Sequence, residues 1–263
     1  MKRSLVASVA LVAALGTPSA SIVAQRRNPA AQRRTPVADT TRWHFDVTPY
    51  LWASGIRGDV GVRDLSARVD LSFDKIIRHM NGAFMLPFEA RRNRFGVGAE
   101  VIYTKISDDR ARAGVLFTGA DASASTLIGT VGARLRVVST KKLKVDVLSD
   151  VRAWRLRNEV NLHLANRSDI STSLTKNWWD VVGGARGFYN VNDRWELQLR
   201  GDFGGFRARY TWQAIGGVGY VASSRVTVRA GYRELDVRFH DADDNFLYDV
   251  SLGGPILGAT IRF

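Results

Sequence analysis

Cysteine does not occur in these 263 residues, and its absence removes two options at once. No disulfide framework can staple the fold and no lipidated cysteine can anchor it, so stability and membrane attachment must come from elsewhere. Long hydrophobic runs are missing too. Beyond the first two dozen residues nothing stays apolar for about 18 positions, which excludes a transmembrane helix. Histidine appears four times, and no pair of histidines or carboxylates has metal-site spacing, so neither metal nor cofactor is expected. Acidic residues are outnumbered, 25 against 38 basic ones, for a net charge of +13. Such a charge would ordinarily suggest nucleic acid, but no helix-turn-helix, zinc-finger or RNA-module pattern is present. Anionic lipid is the better counter-charge.

What is present begins with an export signature. Lys2 and Arg3 precede the apolar run LVASVALVAALG, and small residues at Ala20, Ser21 and Ala24 offer cleavage points. Residues 1–24 read as a signal peptide. Residues 25–42, QRRNPAAQRRTPVADTTR, read as a basic unfolded periplasmic linker, a merely solvated tail, with attraction to anionic headgroups as the alternative. From Trp43 onward the dominant signal has period two. WHFDVTPYLW puts Phe45, Val47, Pro49 and Leu51 on one face and His44, Asp46, Thr48 and Tyr50 on the other. RFGVGAEVIY, LKVDVLSDVRAW and WELQLRGDF repeat the alternation. A soluble sandwich, the fold-level competitor, would turn the oily faces inward. Strands of about ten residues with aromatics near both ends instead favour a barrel with its oily face to lipid and its polar face to the lumen. Trp43, Trp52, Tyr103, Trp178, Trp179, Tyr189, Trp195, Tyr210, Trp212 and Tyr220 are expected at headgroup level.

The connections carry an independent signal. RRNR (91–94), STKKL (139–143), NVNDR (190–194) and ASSR (222–225) are tight turns, and the alternate links read as longer and more polar, as for periplasmic turns and exterior loops. Strands are expected at 43–53, 82–91, 94–106, 122–138, 143–158, 177–189, 194–206, 209–222, 225–239 and 248–263, with both termini periplasmic. Residues 54–81 contain a strand-like SARVDLSF and a helical turn or two in DKIIRHM from Asp74. They are expected as a long first loop packed over or into the barrel, with an added hairpin and about twelve strands as the alternative. The fold class is thus an all-β antiparallel transmembrane β-barrel of about ten strands, within eight to twelve, over residues 43–263.

The chain ends GPILGATIRF, with Pro255, Leu257, Ala259, Ile261 and Phe263 on one face. This ending resembles the final strand of Gram-negative outer membrane β-barrel proteins, which the barrel-insertion machinery reads as an assembly signal. Gly258, Ile261 and Phe263 match its glycine, hydrophobic and terminal aromatic positions, while Ile256 stands where a polar residue is usual. FDVTPYLW, WWDVVGGARG, GDFGGF, TWQAIGGVGY and AGYREL further resemble a largely uncharacterised proteobacterial group of small barrels. The resemblance implies the cell outer membrane as location. Its lipids, lipopolysaccharide and the insertion machinery are the implied partners, a small solute is a candidate one, and no catalytic residue carries over.

Parity places Asp46, Glu89, Glu100, Asp146, Asp150, Asp180, Glu196 and Asp202 in the lumen with Arg91, Arg134, Arg136, Lys144, Arg152, Arg186, Arg200, Arg229 and Arg233. In a narrow barrel, interleaved acids and arginines form either a salt-bridged plug or the lining of a small-solute channel. Gly183, Gly184, Gly204 and Gly205 precede no helix and read as wall glycines, not a phosphate loop. A non-enzymatic envelope protein or solute channel is therefore expected. The alternative is an outer membrane hydrolase, resembling omptin-type proteases or lipid A deacylases, using His240, Asp241, Asp243 and Asp244 or His163, Ser168 and Asp169 on exterior loops. Those acidic loops could equally bind divalent cations.

Overall fold

Alternating side chains make a strand two-faced, and here each face of the sheet meets a different medium. The computed structural model describes residues 42–62, 65–78, 80–111, 117–164, 170–243 and 245–263. The segments expected as signal peptide and linker, up to residue 41, and His79 lie outside them. The strands are β1 (His44–Val47), β2 (Tyr50–Trp52), β3 (Gly55–Val62), β4 (Leu65–Leu71), β5 (Met80–Arg92), β6 (Phe95–Ala111) and β7 (Phe117–Ser139). They continue with β8 (Leu143–Leu164), β9 (Ile170–Asn190), β10 (Trp195–Phe206), β11 (Tyr210–Val221), β12 (Val226–Asp241) and β13 (Phe246–Arg262). One short helix, α1 (Phe73–Ile77), precedes β5. Every pairing is antiparallel, and β5 to β13 pair in chain order.

β1, β2 and β3 run end to end along β13, with Asp46 opposite Arg262, Leu51 opposite Leu257 and Arg57 opposite Ser251. They are one interrupted strand. Because β1 also pairs with β5, Asp46 opposite Glu89, the sheet closes into a barrel of ten strands. A circuit along paired residues runs Asp46, Glu89, Gly98, Gly132, Asp150, Val182, Gly204, Thr211, Val237 and Val250. It returns to the first strand at Gly58, twelve residues past its start. Ten strands with that stagger tilt by about 40° and enclose a backbone radius of about 10 Å. Some inward positions on so tight a wall admit no side chain. A Cβ at Gly204 would stand 2.0 Å from the Val181 carbonyl oxygen, so this glycine permits close approach of neighbouring strands and is no phosphate loop.

The outer face is an apolar belt. On β8 it runs from Leu143 through Val147 and Val151 to Ala153, a rise of about 25 Å at this tilt, which matches the apolar band of outer membrane barrels. Trp43, Phe95, Tyr189, Trp195 and Phe263 are exposed at the end with the tight turns, and Phe84, Tyr103, Trp179 and Phe206 toward the other. Two expected girdle members turn the other way. Trp52 and Trp178 point into the barrel and are 5% and 4% exposed, because each shares parity with the lumen residues of its strand.

Residues 54–81 are not a loop over the lumen. β3 extends the first strand, and β4 folds back on it as a hairpin, Arg57 opposite Asp70, without raising the wall above ten strands. The helical turn lies at Phe73–Ile77. β7, β8 and β9 also outlast the expected 122–138, 143–158 and 177–189, because pairing persists beyond the belt. Residues 159–164 and 170–176, expected as loop, are therefore wall.

Candidate functional site in the barrel lumen

Beyond the belt the oily face changes sides. On β8, Val147 and Val151 point outward, but from Trp154 the buried apolar residues, Trp154 and Leu156, point inward while Arg155 and Arg157 are exposed. β12 does the same, with Val228 and Tyr232 outside, then Leu235, Val237 and Phe239 inside. A strand leaving lipid for water must put its apolar side chains within, so the switch marks the outer membrane boundary. It divides the lumen into a charged part toward the tight turns and an apolar part toward the opposite end.

In the charged part, Asp146 is the hub of one cluster. Its Oδ2 accepts from Arg91 at 2.8 Å and from Arg186 at 2.8 Å, and its Oδ1 from Arg136 at 2.8 Å. Glu89 accepts from the same Nη2 groups, of Arg91 at 2.9 Å and of Arg186 at 2.5 Å. A second chain of pairs climbs from Arg134 to Asp150, from Asp150 to Arg200 at 3.0 Å, and from Arg200 to Asp202 at 3.1 Å. Asp202 also receives Arg152 at 2.6 Å and the Gln213 amide, and Arg152 donates to Thr211 at 3.1 Å. A third set joins Glu100 to the Tyr50 hydroxyl at 2.7 Å and to Arg233 at 2.8 Å, with the Arg233 guanidinium 4.8 Å from the Trp52 ring centroid. Nearer the end with the tight turns, Arg229 binds Glu196 at 2.9 Å and Gln198 at 3.0 Å, and Arg262 binds Asp46 at 3.0 Å.

Two of the lumen residues named from sequence do otherwise. Lys144 is half-buried at the end with the tight turns and joins no ion pair among the described residues. Asp180 accepts from the backbone N–H groups of Phe206, Arg207 and Ala208 at 3.0, 3.0 and 2.8 Å, holding the turn between β10 and β11. Gly258 sits beneath Tyr50, whose Cβ would lie 2.5 Å from an added methyl group, while Phe263 is 71% exposed at the wall's edge.

Sequence reasoning missed the apolar part of the lumen. Trp178 stacks on Phe239 at 4.2 Å and on Trp154 at 5.4 Å, with Tyr248 against both indoles, 6.4 Å from Trp154. The signal was available in WRLR and ELDVRF, where charge and oil exchange parity within a single strand. It also missed Tyr50, Thr211 and Gln213, uncharged members of the ion-pair network.

On the exterior rim, His240 Nε2 lies 3.1 Å from Asn245 Oδ1, and Asp241 pairs with Lys176 at 2.9 Å. No hydrogen bond joins His240 to a carboxylate among the described residues. Ser168, Asp169, Asp244 and the His163 side chain lie outside those residues.

No protein-family model and no curated protein matches the chain. Solved structures do. The outer membrane protease OmpT from Escherichia coli superposes with a TM-score of 0.51 at 9% identity, covering 84% of this chain and 96% of that one. The translocator domain of autotransporter NalP from Neisseria meningitidis gives 0.50 at 12% identity, covering 84% and 88%. At these identities the likeness establishes the fold.

Proposed function

We propose that this Gram-negative outer membrane β-barrel is closed to solutes and serves the envelope as a structural, non-enzymatic element. The observation that carries the reading is the layer formed by Arg152, Asp202, Thr211 and Gln213. The Arg152 and Asp202 side chains are 0% exposed, and Thr211 and Gln213 are as deeply buried. A small-solute channel would keep such groups in contact with a continuous water path, whereas here they bind one another inside the lumen, between β8, β10 and β11. The apolar cluster of Trp154, Trp178, Phe239 and Tyr248 stacks above them and adds a second barrier. Against a hydrolase at the rim stands the engagement of His240 by Asn245 and of Asp241 by Lys176, which supplies no His–Asp acid/base unit.

The test is single-channel recording in planar bilayers with refolded protein whose heat-modifiable gel migration confirms the barrel. The expected result is an absence of reproducible steps. Steps from the unmodified protein that change size in Arg200→Ala would establish a solute path and overturn the reading.

A further inference from the structure

The outward-facing side of β6 to β9 carries three successive rows of side chains, the first in the belt and the next two at and beyond its outer end. In the first, Val101, Gly129, Ala153 and Trp179 stand side by side, two of the smallest residues between two larger ones. The result is an apolar groove of about 510 Å³. Gly129 opens onto empty space, since a Cβ there would meet no atom within 4 Å. The next row toward the exterior is Tyr103, Leu127, Arg155 and Asn177, and the third is Lys105, Ser125, Arg157 and Thr175. Arg155 and Asn177 belong to the groove's lining.

The charges of these rows are unbalanced. Arg157 is paired with Glu159, but Lys105 and Arg155 are exposed and have no ion-pair partner among the described residues. Arg155 lies one row above Ala153, at the outer end of the belt, and Lys105 two rows above it. Unpaired cations on a lipid-facing wall are unfavourable beside acyl chains and favourable beside anionic headgroups. Strand spacings put their Cα atoms about 12 Å apart, so two long side chains can converge on one phosphate. An apolar groove running up to two free cations thus has the layout of an acyl chain joined to a phosphate.

We propose that this groove seats one lipid A molecule of the outer leaflet, an acylated glucosamine disaccharide bearing phosphates. An acyl chain lies along Gly129 and Ala153, and a phosphate oxygen accepts charge-assisted hydrogen bonds from Arg155 and Lys105. The site follows from the wall's outer face and its orientation, so it stands whether the lumen conducts or not.

Native mass spectrometry of the refolded barrel in detergent, titrated with bis-phosphorylated lipid A, reads it directly. The unmodified protein is expected to bind one lipid A, with affinity about tenfold lower in Lys105→Ala/Arg155→Ala, where the charge-assisted bonds are lost. Gly129→Leu fills the groove without touching the lumen network and is expected to weaken binding comparably. Heat-modifiable migration verifies that each variant is folded. Equal affinity for the charge variant and the unmodified protein overturns the proposal, as does equally tight binding of phosphate-free lipid A or of phosphatidylglycerol.

Discussion

Replacing Arg152 by methionine keeps most of the side-chain volume and deletes the charge, which isolates the worth of the buried ion pair. Arg152 and Asp202 are both fully removed from solvent, 2.6 Å apart, in the layer proposed to block the lumen. Deleting one member of such a pair typically costs about 3 to 5 kcal/mol, because the other charge is left uncompensated in a low dielectric. Asp202 would keep Arg200 at 3.1 Å and the Gln213 amide, so the lower end applies. A loss of about 3 kcal/mol corresponds to a drop of roughly a hundredfold in the folding equilibrium constant. The assay is urea unfolding in phospholipid vesicles followed by tryptophan fluorescence. Arg152→Met/Asp202→Leu completes a double-mutant cycle and should recover to within about 1 kcal/mol of the unmodified barrel, since an apolar pair of similar volume tolerates the same site. Arg200 retains Asp150 in that variant. A single variant within about 1 kcal/mol of the unmodified protein would mean that water reaches Asp202, and the closed-layer argument would fail.

Gly204→Ala places a methyl group 2.0 Å from a backbone carbonyl that cannot move aside, so the variant should lose heat-modifiable folding. Gly129→Ala, facing open space on the outer wall, should migrate as the unmodified barrel does in the same gel. Asp180→Ala strips three backbone N–H groups of their acceptor and should destabilise by about 2 kcal/mol in the urea assay, with faster proteolysis at the β10 to β11 turn.

The wall was legible in the sequence because lipid enforces alternation residue by residue. Wherever a strand crosses the belt, an outward polar residue is costly, so WELQLRGDF could be assigned face by face, and its Glu196, Arg200 and Asp202 turn inward. The ends of β7 to β9 were illegible for the same reason reversed. Above the belt the outer face tolerates Arg155 and Arg157, the alternation loses its sign, and SEGMENTS such as 159–164 read as loop although they continue to pair. The hairpin of β3 and β4 was obscured by parity arithmetic. A strand-like segment suggested an extra member of the wall, whereas β3 lengthens the first strand and β4 pairs with it outside the ten-strand count.

The predominance of arginine in the lumen follows from the barrel's size. With a backbone radius of about 10 Å, partners for a buried carboxylate must reach inward from nearby or opposing strands. Arg91 on β5 reaches Asp146 on β8, Arg152 on β8 reaches Asp202 on β10, and Arg233 on β12 reaches Glu100 on β6. A guanidinium can bind two acceptors at fixed geometry, as Arg186 does with Glu89 and Asp146, so one side chain links two carboxylates across the interior. A lysine offers a point charge without that fork, and Lys144, the one lysine named from sequence in this network, sits at the end with the tight turns, outside the ion pairs among the described residues. Cross-linking by arginine ties strands together through the lumen as well as along the wall, in a chain that has no disulfide to do so. On the reading proposed above, the same linkage fills the space a solute would need, so in a barrel of this radius rigidity and permeability compete for the same interior.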